Sequence, residues 1–354
     1  MNNQQTKITK ESKNKIRADF DRAPLAERLK AKYLNTFFYK KILGSLFKFL
    51  LLLGISYVIL YPFASKILQS FFSPADLLQT DVQLVAKYPT IQTYTLLITE
   101  NGYFTALLNT AILSLVCAVM QTFVCAFIGY GFAKFKFKGR GFVFIFVIIT
   151  LLVPPKILAS ALVQRFVSFD IFGLFEATGL YNLLGLQSGL HGTYAPFVLL
   201  SLTGLAFKNG LFIFLMRQFY RGIPDELEEA SYVDGYGVFK TFFRIILPCS
   251  VPMLITVFIL SFSWQWTDIF YTNIFLPNSD KVLLTSNAFW STMPETLKAI
   301  TDEVLIGNTT AQSTFATIVM NTAGMLVVAP LIILYLFCQR YLIQGIAHSG
   351  FGGV

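Results

Sequence analysis

The stretch Ser263-Trp264-Gln265-Trp266-Thr267-Asp268 lies in an apolar run yet is dense in hydrogen-bonding and flat aromatic groups. Polar side chains inside a membrane segment normally face a bundle interior or a water-filled cavity. Indole faces stack on the C–H faces of sugar rings, while Gln265 and Asp268 offer donors and acceptors to hydroxyls, so Trp264, Gln265, Trp266 and Asp268 suit a carbohydrate path. A structural reading stands beside it: tryptophans belong at membrane interfaces, and Asp268 can mark the outer end of a helix. Lys208-Asn209-Gly210 interrupts a second apolar run, about nine residues before Arg217 and so roughly 13 Å from it along a continuous helix. A charge at that depth lines a cavity or snorkels to the surface, and Gly210 permits a local break. Asn109 is a further candidate for a solute path, although Asn109 and Gln121 also suit hydrogen bonds between helices.

Other chemistry is missing from the sequence. Cys117, Cys125, Cys249 and Cys338 have no CxxC spacing and no flanking histidines, and His191 and His348 fall in unrelated loops, so no metal set is expected. Cys117 and Cys125 lie roughly 12 Å apart on one straight helix, too far for a disulfide, and all four cysteines read as packing residues. The carboxylates form no recognisable pair with a base, and no G-x-x-x-x-G-K-[ST] run is present to cradle nucleotide phosphates.

The segment Arg217–Pro248 has a different character. Pro224 fits the first turn of a helix, and Asp225, Glu226, Glu228 and Glu229 complement the positive end of its dipole. Ala230 and Ser231 follow as a nearly flat surface, Gly235 and Gly237 end the helix, and a second short helix over 238–246 leads to Pro248. Small side chains beside the Glu229 carboxylate form a surface another protein can grip; the bland alternative is a solvated loop.

These groups need elements to position them, and the composition says which. Of 354 residues, 55% are hydrophobic and only 13% charged, so the bilayer is the expected solvent. The net charge of +9 is gathered at one end and in short loops, which argues against a nucleic-acid footprint. Six runs are long enough to span, near 44–64, 103–133, 141–166, 194–219, 249–272 and 313–341. Pro154–Pro155 predicts a kink or early exit in the third. With the N-terminus inside, 21 of the 28 lysines and arginines fall on one side. The positive-inside rule then puts both termini in the cytoplasm and the connections near 65–102, 167–193 and 273–312 outside. The expected architecture is all-α and polytopic, with a cytoplasmic helix-turn-helix between spans four and five. Its parts are a basic N-terminal segment at 1–43, with an amphipathic helix around Pro24–Lys41; a first span and outer loop at 44–102; a core at 103–344 containing the loop 217–248; and a C-terminal tail at 345–354.

The run Glu229-Ala230-Ser231, three residues, Gly235, nine residues, Ile245-Ile246-Leu247-Pro248 resembles the EAA loop of binding-protein-dependent ABC importer permeases, E-A-A-x3-G-x9-I-x-L-P, with Ser231 the one departure. Asn109-Thr110, Gly131-Phe132-Ala133-Lys134, Arg217-Gln218-Phe219, Trp264–Asp268 and Gln344-Gly345-Ile346 extend the likeness to the maltose-permease type of carbohydrate permease. The final GIAHSGFGGV departs from that family's basic, glycine-rich ending.

The resemblance implies a coupling helix seated in an ATPase groove, with Glu229, Ala230, Ser231, Gly235, Leu247 and Pro248 as the coupling positions. It also implies a non-catalytic chain without a cofactor of its own, ATP and Mg being held by a separate ATPase dimer. A second permease subunit, an extracytoplasmic solute-binding protein, a carbohydrate substrate and a prokaryotic cytoplasmic membrane complete the expectation. The alternatives are a permease for a non-sugar solute and a secondary transporter driven by an ion gradient.

Overall fold

The computed structural model describes residues 36–79, 81–170, 178–179, 189–206, 208–277 and 282–351. The amphipathic helix expected around Pro24–Lys41 lies almost wholly outside them. Every regular element among the described residues is helical, as a chain whose backbone groups must pair within lipid requires.

The chain divides into two compact units, Met1–Ser65 and Lys66–Val354. Helix α1, Thr36–Gln69, makes up the described part of the first and runs to the start of the second. Its apolar side chains from Tyr39 to Phe63 are exposed around the whole circumference, which suits a span whose solvent is hydrocarbon. The sequence reading placed 66–102 with the first span, but this segment packs into the second unit. A 3-10 turn, Pro74–Leu78, and helix α2, Gln92–Glu100, carry Phe72 and Leu97 into a core with Tyr103, Trp266, Phe289 and Phe315.

Helix α3, Tyr103–Lys134, is the centre of the second unit. Its buried residues recur every three or four positions and are mostly small: Ala106, Thr110, Ser114, Cys117, Ala118, Thr122, Cys125, Ala126, Gly129. In lipid, helices associate through close van der Waals packing and hydrogen bonds, and small residues permit the approach. At Gly129 the fit is so tight that an added Cβ would stand 2.7 Å from Met216 Cβ. Three later helices pack on α3: α6, Ala195–Leu202; α7, Asn209–Arg221; and α9, Val251–Trp266. Gln121 ties two of these contacts, its Nε2 donating to Ser201 Oγ at 3.1 Å and its Oε1 accepting from Ser261 Oγ at 2.8 Å.

Two of the expected spans are not continuous. Helix α4, Arg140–Leu152, and helix α5, Pro155–Val167, meet at 100° across Pro154–Pro155, because proline cannot continue the hydrogen-bond ladder of the preceding turn. The fourth expected span is split into α6 and α7, of 8 and 13 residues, each too short to cross alone. The break falls at Gly204, whose φ of 76° suits glycine, and not at Gly210. Gly210 has another use: a Cβ there would meet Thr150 Oγ1, so it lets α7 press against α4. After helix α11, Glu295–Val304, helix α12, Thr309–Phe351, packs on α9 and continues without a break across the boundary expected at 344/345.

Among the described residues three helices, α1, α3 and α12, are long and apolar enough to cross a membrane. Two bent pairs, α4 with α5 and Val238–Cys249 with α9, raise that to five if each pair is one span. The sixth crossing of the sequence reading is the divided α6–α7 segment. Of the cysteines, Cys117 and Cys125 are buried, but Cys249 is exposed and Cys338 half-buried, so packing explains only the first two.

Candidate functional site

The acidic segment forms helix α8, Glu226–Val233, with Asp225 in its N-cap position. Gly235 follows at φ 79°, the left-handed conformation in which a helix end reverses, and Tyr236 N returns to Ser231 O at 3.0 Å. The chain then passes through Val238–Thr241, a π turn over Phe242–Ile246 and the short helix Leu247–Cys249 before α9 begins.

Within α8 the four residues of the second turn divide between two faces. Glu229 and Ala230 are exposed, whereas Glu228 and Ser231 are buried. Ser231 was expected on the outward surface; it instead shares a 2.7 Å hydrogen bond with Thr241. The helical period explains the split, since 228 and 231 lie one turn apart on one face while 229 and 230 point away. Serine is thus small enough for the crossing and also joins the two arms of the turn. Leu247 is half-buried and Pro248 exposed.

The buried side of α8 rests on the end of α3. Lys134 Nζ lies 2.6 Å from Ile223 O, 2.6 Å from Asp225 Oδ1 and 3.7 Å from Glu228 Oε1. The ammonium beside Asp225 holds that carboxyl below its ordinary range, while burial outweighs Lys134 at Glu228 and pushes its carboxyl up. Tyr130, Tyr220 and Phe242 close the joint with ring centroids 4.8 to 6.4 Å apart. Sequence reasoning missed the role of Lys134, although its place at the end of an apolar run was visible; its acidic partner is 91 residues away in the chain, which no local spacing reveals.

A second site lies where α9 ends beside the break between α6 and α7. A cavity of about 300 Å3 is bounded by Lys208, Trp264, Gln265 and Asp268, with Gln121 and Ser261 at its wall. Lys208 Nζ stands 4.4 Å from the centre of the Trp264 ring, a cation–π pairing, and Phe212 supports the indole at 5.6 Å. Asp268 Oδ1 accepts from Tyr271 N at 3.3 Å, while Oδ2 has no hydrogen-bond partner among the described residues. Asp268 thus ties down the first turn of the short helix α10, Phe270–Phe275, and keeps its second oxygen buried at the edge of the cavity.

Three of the expected path residues are elsewhere. Trp266 is buried in the core with Tyr103 and Phe315, its Nε1 donating to Val327 O at 2.9 Å. Two positions along a helix amount to about 200°, so Trp264 and Trp266 cannot face one cavity. Asn109 donates from Nδ2 to Val282 O at 3.0 Å, tying α3 to a loop. Asn209 is fully buried at the first turn of α7, and its side-chain amide has no hydrogen-bond partner among the described residues. Ser261 was missed, although 261, 264, 265 and 268 form one helical stripe.

A family model described as "Binding-protein-dependent transport system inner membrane component" matches residues 125–348, which contain the α8 joint and all the cavity residues named above except Gln121. The chain belongs to that family. Among curated members, a probable ABC transporter permease protein YurM of Bacillus subtilis is 28% identical over 254 residues, covering 72% of this chain and 71% of its own. An arabinooligosaccharides transport system permease protein AraQ of Halalkalibacterium halodurans is 25% identical over 302 residues, covering 84% of this chain and 93% of its own. Among solved structures, a bacterial ABC transporter involved in the import of the acidic polysaccharide alginate shares the fold at a TM-score of 0.58. It is 17% identical, with 85% of this chain and 97% of that chain covered. The family is one of multi-pass membrane permeases, and the apolar helices agree with it.

Proposed function

We propose that the chain is the transmembrane permease subunit of an ATP-driven importer that carries a sugar or oligosaccharide into a prokaryotic cell by alternating access. The carrying observation is α8, a short helix with Glu229 and Ala230 exposed on one face and its other face fastened to the central helix. Both EAA positions that face outward are small or acidic, which suits a groove on a partner. ATP binding and hydrolysis occur on a separate ATPase dimer, which pushes α8 and rocks the permease between inward-open and outward-open states. A homologous permease completes the pathway, and an extracytoplasmic binding protein delivers the solute. Both termini and α8 lie on the cytoplasmic side of the membrane.

Oligosaccharide as substrate is supported by the relatives named for arabinooligosaccharides and, in Bacillus subtilis, galactooligosaccharides. The cavity supports it chemically. Trp264 offers a flat face, and Gln265, Asp268 and Lys208 supply acceptors and donors for hydroxyls.

The test is Glu229→Lys in the complex purified with its native partners. Charge reversal on the gripping face lowers ATPase association or uncouples hydrolysis from uptake by at least about tenfold, while thermal stability of the permease is unchanged because the side chain is exposed. Normal assembly with normal uptake would refute the coupling assignment.

A further inference from the structure

A lever transmits force only if it is fastened to what it moves. Helix α8 has 8 residues, and polar contacts fasten both of its ends to neighbouring elements. At its C-terminal end the Ser231–Thr241 hydroxyl pair binds it to the chain leading into α9. At its N-terminal end the fastening is Lys134.

The Lys134 side chain is 6% exposed, unusually low for a lysine beside the aqueous phase. Its ammonium reaches three things at once: the Ile223 carbonyl just past the exit of α7, the Asp225 carboxylate at the start of α8, and the Glu228 carboxylate on the inner face of α8. Lys134 is itself the last residue of α3. One cation therefore pins the end of the central helix, the exit of the divided span and the first turn of α8 to a single point. Neighbouring cations hold the same end of α3 from other sides. Arg217 Nε donates to Phe132 O at 3.4 Å, and Arg140 Nη1 donates to Phe135 O at 3.1 Å.

We propose that Lys134 is the positioning residue that couples α8 to α3, so that a displacement of α8 by a partner moves the central helix as part of the same rigid body. This rests on the importer reading above. Burial of the ammonium makes the joint stiff: partners of a desolvated charge cannot be exchanged for water without cost, unlike those of a surface ion pair. Asp225 is the weaker arm, with a side chain 76% exposed, and the carbonyl and Glu228 are the enclosed ones. The uncharged isostere closest in length is methionine, which keeps the packing of the stem and removes all three contacts.

The experiment uses the complete complex in proteoliposomes and measures solute imported per ATP hydrolysed. Wild type is run first, because absence of ATP-driven uptake there would count against the importer reading and not against the clamp. Lys134→Met is expected to assemble and to hydrolyse ATP, while uptake per ATP falls about tenfold. Lys134→Arg, which can still reach a carbonyl and a carboxylate, retains at least half of the wild-type ratio. A purely structural role would lower assembly and leave the ratio of assembled complexes intact. Should Lys134→Met fail to assemble, the pair Asp225→Lys and Lys134→Glu with Asp225→Lys decides: the single change lowers the ratio and the charge exchange restores it by about threefold or more. A wild-type ratio in assembled Lys134→Met, or an exchange that restores nothing, would overturn the proposal.

Discussion

At the scale of single residues, environment decides what each group does more than its type does. Asp76 is fully buried in the loop between α1 and α2 and accepts from Ser73 N, Ser73 Oγ, Lys87 N and Tyr88 N at 2.9 to 3.0 Å. Burial pushes its carboxyl up, but these four donors together outweigh it and hold the group below its ordinary value. A carboxyl depressed in the folded state contributes stability above its unfolded pKa, and the contribution is lost as pH falls through the folded value. Thermal unfolding of the purified protein should therefore show the loop weakening below about pH 4, since the carboxylate's ordinary value is 3.8. Asp76→Ala leaves three partly buried amide donors without their partner and should cost about 1–3 kcal/mol at neutral pH, read as earlier proteolysis within 73–90. An unchanged cleavage pattern would contradict this account. None of it was legible beforehand, because one aspartate in a mixed loop carries no spacing signal. Trp264 and Trp266 show a different limit: their types were legible as a polar aromatic cluster, but the cluster spans too many degrees of helix to share one face.

At the scale of elements, the long apolar runs were readable because their length and hydropathy follow from the bilayer's thickness. The 100° turn was readable too, from two adjacent prolines. The division of the fourth span was not, since Gly204 sits among apolar residues on both sides and a single glycine is compatible with a helix. The turn after α7 was legible in outline, because the acidic first turn and Gly235 act locally, but Pro224 precedes the N-cap Asp225 instead of standing in the first turn, and the second expected helix passes into a π turn at Phe242. What the pattern did not reveal is the phase of α8, which turned Ser231 inward and Glu228 toward Lys134. Helix α3 offers a test of packing as the organising force. Gly129→Ala places a methyl against Met216 Cβ and the Arg217 backbone, whereas Gly324→Ala in α12 meets nothing within 4 Å. The first should destabilise by about 1–3 kcal/mol through overpacking, and the second should be neutral or stabilise by about 0.5–1 kcal/mol through helix propensity. Equal melting temperatures for the two variants would mean that α3 and α7 are not in close contact.

At the scale of the whole molecule, two sites occupy one helix system. The cavity at the end of α9 and the α8 joint both lean on α3, through Gln121 and Lys134 respectively, thirteen positions apart on the same helix and so roughly 20 Å in length. A rigid α3 held at Lys134 would carry a push on α8 toward the wall of the cavity. The family was legible because its loop carries a long, spaced pattern, whereas the cavity depends on which residues converge in space. On the proposed function the exposed face of α8 is touched by an ATPase on the cytoplasmic side. A photo-crosslinking side chain placed at Ala230, in complexes shown to import solute, tests it most directly. The account predicts a crosslink to the ATPase subunit that depends on α8 facing the cytoplasm; crosslinking to the binding protein instead, or none to the ATPase in transporting complexes, would contradict it.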